Sequence, residues 1–272
     1  MSEIKSWEDI LKIENETERV AAMYEFVDED TRLHSKATRV EFLTTIHIIQ
    51  RYLKPGSKIM DIGAGAGAYS LHFAAQGYDV TAVELTDANI KAFKKKLRPE
   101  LNIDLHQGNA CDLSKFKDDA YDVVLVFGPL YHLAQAQDQQ KCIREAKRVC
   151  KADGVILFAF ISNDMVILTE SCGYNPNFFK EDGYDHETFK IKDGVLVFFT
   201  VSQARQLLAD EGVECLTEVA QDGLSELLVD QINGMDDKSY EQYLKYHLYC
   251  CEKPELLGHS NHVLFVGKKK AG

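Results

Sequence analysis

The stretch Ile59–Ser70, IMDIGAGAGAYS, alternates three glycines with alanines directly after an apolar run and sets Asp61 two positions before the first glycine. Gly63, Gly65 and Gly67 carry no side chain, so a backbone made from them turns sharply and comes close to a ligand. Ala64 and Tyr69 belong to the same junction between the apolar run and the next helical pattern. Asp61 puts a negative charge in front of the turn, suited to an ammonium group or to the loop's own amides and repelling a pyrophosphate. Glu84 closes the next apolar run about twenty residues on, where a carboxylate can accept hydrogen bonds from ribose hydroxyls. Farther along, Phe127-Gly128-Pro129-Leu130-Tyr131-His132-Leu133 succeeds another apolar run. Its imidazole, His132, can take up a proton near neutral pH and is the candidate general base, with Tyr131 beside it. Packing and hydrogen bonding that merely shape a pocket are the alternative reading of this pair.

These residues need elements to position them. Apolar runs at Lys58–Ile62, Tyr78–Glu84, Leu101–His106, Tyr121–Phe127 and Gly154–Ile161 predict strands. Helical patterns lie between them: one reaches about Gln76 and ends at Gly77, Ala88–Leu97 comes after Thr86 as N-cap, and Gln137–Cys150 is amphipathic. Such alternation implies parallel pairing through crossovers, with both faces of the sheet covered. Residues 163–200 are rich in Phe, Tyr, Asn and Gly and lose the rhythm. It resumes with a helix over Val201–Glu211, a strand at Val213–Val219, helix over about 223–251 and a last strand at His262–Gly267. The expected fold class is α/β, a Rossmann-like three-layer sandwich with a mostly parallel seven-stranded sheet. Residues 1–54 form an N-terminal helical cap in this reading, and 55–272 the main domain. Its insertions, at about 163–200 and 221–260, come after strands five and six.

The 272 residues include 31 Lys and Arg against 43 Asp and Glu, a formal net charge of −12. An acidic surface disfavours a nucleic acid as partner. Seven cysteines, an odd number without a CxxC pair, fit reduced thiols and a cytoplasmic location better than a disulfide framework. The polar start MSEIKSWEDI has no signal-peptide character, and no apolar run reaches membrane-spanning length, so no membrane partner is expected. His247, Cys250, Cys251, His259 and His262 match no usual zinc spacing, and no metal is expected. A homodimer is left open.

With those residues in place, DIGAGAG and the later VTAVEL resemble the class I S-adenosylmethionine-dependent methyltransferases. The likeness covers about residues 57–161, and the strands at 213–219 and 262–268 also fit. It implies S-adenosyl-L-methionine as cofactor, S-adenosyl-L-homocysteine as product, and methyl transfer by in-line displacement. By resemblance, Asp61 sits near the methionine end, Gly63, Gly65 and Gly67 lie under the nucleoside, and Glu84 binds the ribose. Leu85 lies against adenine, and Asn109-Ala110 in QGNACDL reads its edge. Phe127 and Gly128 lead into GPLYHL, which is similar to small-molecule methyltransferases and unlike the NPPY-type motif of enzymes acting on nucleobase or amide nitrogens. The resemblance therefore implies a small-molecule acceptor. YEFVDEDTRL at Tyr24–Leu33 and EFLTT at Glu41–Thr45 resemble the leader of a bacterial group with this domain, which places Tyr24 and Arg32 at the site. Phe178 and Phe179 in the aromatic insertion are expected to line a lid.

Two rivals stand. The glycines also fit the dinucleotide pattern through Gly63, Gly65 and Ala68, so an NAD(P)-dependent oxidoreductase is the alternative; one Tyr-x-x-x-Lys match, Tyr249 to Lys253, lies beside Pro254 far from the cofactor strands and reads as coincidence. A non-catalytic nucleoside-binding protein is the second.

Overall fold

The computed structural model describes residues 6–270, so the first five residues of the expected cap and the last two of the chain lie outside the described residues. The strands are β1 Lys58–Ile62, β2 Asp79–Glu84, β3 Ile103–Gln107, β4 Tyr121–Val126, β5 Cys150–Ser162, β6 Phe198–Phe199, β7 Val213–Ala220 and β8 His262–Lys269. The sheet runs in the order β3-β2-β1-β4-β5-β8-β7, and the two-residue β6 pairs with the end of β5. β1 is parallel to β2 and β4, and the outer pairs β2–β3 and β4–β5 are parallel too. Among the described strands only β8 runs against its neighbours, β5 and β7. The expected mostly parallel sheet is present, with β6 as an addition too short to leave a periodic trace.

The helices are α1 Trp7–Leu11, α2 Glu16–Tyr24, α3 Lys36–Gln50, α4 Ala68–Ala75, α5 Asp87–Lys94, α6 Ala136–Val149, α7 Asn163–Thr169, α8 Val201–Asp210, α9 Val229–Asn233 and α10 Asp237–Cys250. Successive residues of β1 point to opposite faces, so the two layers of core divide between them. Met60 and Ile62 join Val124, Phe158 and the Cys142, Ile143, Ala146 and Val149 face of α6. Ile59 joins Phe73 of α4, Leu125, Val266 and Ile48 and Ile49 of α3. All of these are fully buried, which is why the strands read as continuous apolar runs rather than alternating ones.

Two expectations need correction. The segment 163–200 is not patternless: Ser162 caps α7, whose Met165 and Ile167 are buried. Beyond α7, Ile167, Phe178, Tyr184 and Ile191 form a small separate core, with the Phe178 and Tyr184 rings stacked at 5.2 Å. Phe178 is spent on that core and Phe179, half exposed, packs edge-on against Phe178 and Tyr184, so neither lines the central cavity. The helical stretch near 223–251 is broken by Gly234 into α9 and α10, the latter capped by Asp236.

Gly67, one of the three loop glycines, also has a structural role. It holds φ +86° at the N-cap of α4, and a Cβ there would lie 2.5 Å from the Phe93 ring. Replacing Gly67 with Val should therefore destabilise the fold by about 1–3 kcal/mol through overpacking, with backbone strain added. Urea unfolding measures this, and an unchanged midpoint would contradict the assignment.

Candidate active site

A cavity of about 440 Å³ opens along the carboxyl edge of the sheet, where the strand-to-helix loops converge. One half is bounded by Gly63, Ala64 and Gly65 after β1, Glu84 and Leu85 after β2, and Asn109 and Ala110 after β3. Phe127 and Gly128 after β4 line it as well, with Asp61, Tyr69, Tyr131 and His132. Tyr24 and Arg32 close it from the N-terminal side. Every loop residue expected at the site thus lines one space, apart from Gly67.

Glu84 is buried and ties the loops together. Its Oε2 accepts the Gly65 amide at 2.8 Å, and its Oε1 accepts the Thr86 amide at 2.9 Å and the Thr86 hydroxyl at 2.8 Å. Gly63, at φ +76°, lets the chain turn there; a Cβ would stand 2.6 Å from Pro129 of the loop after β4. Asp61 takes the Ser70 hydroxyl on Oδ2 at 2.6 Å, while its buried Oδ1 has no partner. Burial raises the Asp61 pKa to about 6, so the ionised form awaits a compensating positive group. Asn109 Oδ1 accepts the Cys111 amide at 2.8 Å, which fixes the turn after β3.

His132 differs from expectation. Its Nδ1 lies 3.0 Å from the carbonyl of Val195, which can only accept, so the proton sits on Nδ1. Nε2 then accepts from the Tyr24 hydroxyl at 3.0 Å. Burial lowers its pKa to about 4. A neutral imidazole with both nitrogens engaged is an anchor joining α2 to the loop after β4, and the geometry speaks against it as the general base. Tyr131 lines the cavity with its pKa raised by burial, so its phenol stays protonated.

The cavity lining also includes residues that the sequence reading did not place at the site: Glu41 and Phe42 of α3, Ala159 of β5, Gln221 just after β7, and His262 at the start of β8. Arg32 clasps Glu41 through two bonds, 2.6 and 3.1 Å, and reaches Glu29 at 3.0 Å. Glu41 Oε2 lies 3.6 Å from His262 Nδ1, which pairs with Asp222 Oδ2 at 2.7 Å. Burial alone would raise Glu41, yet Arg32 and His262 outweigh it and bring its pKa to about 2. Burial alone would lower His262, yet Glu41 and Asp222 lift it to about 9. Ligand atoms of Glu41, Asp222 and His262 come within 4.8 Å of one another, close enough for a cation. Arg32 and the imidazolium already pair with these two carboxylates. No sequence signal linked these residues, because they are brought together only by the β7–β8 pairing and the seat of α3. The Tyr249 and Lys253 pair lies off the cavity: Tyr249 is exposed, with the Lys253 ammonium over its ring.

Comparison with known proteins agrees with this geometry. A family model described as a methyltransferase domain matches residues 60–158. A demethylmenaquinone methyltransferase of Lysinibacillus sphaericus is 30% identical over 109 residues, 39% of this chain and 44% of that protein. A ubiquinone biosynthesis O-methyltransferase of Pseudomonas savastanoi pv. phaseolicola is 27% identical over 110 residues, 40% of this chain and 46% of that protein. The matches thus span under half the length of these relatives. A crystal structure of a SAM-dependent methyltransferase of Methanosarcina mazei superposes with a TM-score of 0.55 at 20% identity, covering 83% of this chain and 98% of that one, a likeness of fold. Residues 60–158 thus match a methyltransferase domain, and the fold is that of S-adenosylmethionine-dependent methyltransferases. S-adenosylmethionine is the cofactor of that class. Among the described residues no helix is long and apolar enough to cross a membrane.

The ion pairs beneath this methyltransferase crevice have a pH signature. His262 is raised from 6.5 to about 9, so its contribution to stability is complete below about pH 6.5 and is lost as pH rises through about 9. Thermal unfolding should show the wild type losing stability across that window relative to His262→Gln, with parallel curves as the contrary result.

Proposed function

We propose that this chain transfers the methyl group of S-adenosylmethionine to a small-molecule acceptor by in-line displacement. The observation that carries the reading is a single cavity with two differently equipped halves. One half holds the cofactor groups on β1 to β4, and the other holds Gln221 and His262 at the ends of β7 and β8. Leu85, Asn109 and Ala110 would flank adenine, Glu84 would receive the ribose hydroxyls, and Asp61 Oδ1 would take the ammonium group. The bound cofactor supplies a methyl carbon already activated by positive sulfur, so the protein chiefly aligns acceptor, methyl and sulfur and keeps water out. Phe42, Tyr69, Phe127 and Tyr131 line the cavity and serve that exclusion. The described part of the expected cap, residues 6–54, acts as the cap in this reading, with Tyr24 and Arg32 at the site, while the stretches 163–200 and 221–260 act as insertions.

A small acceptor is favoured by the acidic surface, by the size of the cavity and by relatives whose names refer to demethylmenaquinone and to ubiquinone biosynthesis. The Tyr249–Lys253 match lies off the crevice, so the oxidoreductase reading has no Tyr-x-x-x-Lys pair at the site. His132, bonded to Tyr24 and Val195, serves as a positioning residue rather than a base.

Titration calorimetry with S-adenosylhomocysteine and with NADH tests the reading. Binding of the nucleoside thioether without the dinucleotide is expected, and the reverse would sink it. Glu84→Gln should weaken S-adenosylhomocysteine binding by about 1.5–3 kcal/mol, the scale of a hydrogen bond to a charged group. An unchanged dissociation constant would remove Glu84 from the ribose role.

A further inference from the structure

We propose that Gln221 and His262 are the acceptor-recognition pair, and that the acceptor presents an anionic oxygen to His262 and a neighbouring hydroxyl or amine hydrogen to Gln221. This rests on the methyltransferase reading and adds to it the chemistry of the substrate.

Position comes first. β5, β8 and β7 lie beyond β4 in the sheet order, on the side away from β2 and β3, which carry Glu84 and Asn109 at their ends. Gln221 comes directly after β7, His262 opens β8, and both line the same cavity. The Gln221 amide donates to the His262 carbonyl at 2.9 Å, so their backbones are locked together. Ala159, paired in register with Leu264, leaves room beside them on β5.

The polar inventory gives the ligand chemistry. His262 Nδ1 donates to Asp222 Oδ2 at 2.7 Å, and Asp222 Oδ1 is itself held by the Ser260 hydroxyl at 2.5 Å and the His262 amide at 3.1 Å. The imidazole is therefore pinned through one nitrogen, and Nε2 bonds no described residue. Two carboxylates face the ring, Glu41 from α3 and Asp222 from the end of β7, while the Arg32 cation opposes them from behind Glu41. Their joint effect keeps the ring doubly protonated near neutral pH, which makes Nε2 a charged donor.

Gln221 is the complement. The Thr45 hydroxyl donates to the Glu41 carbonyl at 2.7 Å, so it can only accept from Gln221 Nε2, at 2.8 Å. That chain of bonds orients the amide and leaves Oε1 as a buried acceptor with no partner. A buried carbonyl without a donor is rare in folded proteins and points to a ligand hydrogen. A charged donor and a bare acceptor on residues whose backbones are bonded to each other, in a cavity also lined by Phe42, fit a compact hydroxylated acid, enol or phenol.

Hydroxybenzoates are suitable probes. Binding of 2-, 3- and 4-hydroxybenzoate, benzoate and phenol is measured by calorimetry on protein saturated with S-adenosylhomocysteine. At least one hydroxybenzoate should bind about tenfold more tightly than both benzoate and phenol. Gln221→Met should remove its advantage over benzoate, and His262→Gln its advantage over phenol. Both variants should hold S-adenosylhomocysteine within about twofold of wild type, as groups outside the nucleoside half. Either variant alone suffices if the other does not fold. The proposal is overturned if no hydroxybenzoate binds, or if folded variants keep the wild-type preference. Failure of the wild type to bind S-adenosylhomocysteine would overturn the methyltransferase reading, and this proposal with it.

Discussion

The carboxylate of Glu84, at the end of β2, accepts the amide of Gly65 in the loop after β1 and both donors of Thr86 at the start of α5. Through those bonds one buried side chain sets the distance between two neighbouring loops and aims the glycine backbone into the crevice. The parallel register of β1 with β2 and β4 brings the loops to the same edge, and the absence of a side chain at Gly63 lets Pro129 close against it. Remove the carboxylate and the wall of the crevice loses its shared reference point. Its remaining acceptor capacity is what a ribose diol would use, so in the proposed reading the residue that builds the pocket would also read its occupant.

A second chain of charge runs from Arg32 through Glu41 and His262 to Asp222. It joins the segment before α3 to the antiparallel pair β7–β8, regions separated by most of the sequence. Buried charges are tolerated only when each finds its opposite, and here cations and carboxylates alternate. The arrangement leaves the outer nitrogen of His262 directed by its own anchoring bond and leaves Gln221 oriented by Thr45 and Glu41. Acceptor specificity, on this account, is a by-product of how the cap is fastened to the sheet.

Much of this was legible in the sequence, for local reasons. The strands read correctly because β1, β4 and β5 are buried on both faces and short turns separate them from their helices. Asp61, Gly63, Gly65, Glu84 and Asn109 each stand at a strand end, so their convergence results from parallel pairing alone. What was illegible is non-local. Nothing in the sequence connects Glu41 with Asp222 and His262, which meet only after β8 pairs antiparallel with β7 and α3 packs on the sheet. Phe178 and Phe179 were misplaced because aromatic content does not distinguish a lid from a small core. His132 looked like a base until its two hydrogen bonds showed each nitrogen committed.

The central claim is that one crevice is divided between nucleoside and acceptor along the order of the sheet. A crystal structure of the complex with S-adenosylhomocysteine tests it most directly. The account predicts adenine beside Asn109 and Ala110, the ribose on Glu84, and the sulfur turned toward Tyr131, Gln221 and His262. A nucleoside seated on Gln221 and His262, or a sulfur facing away from them, would contradict it.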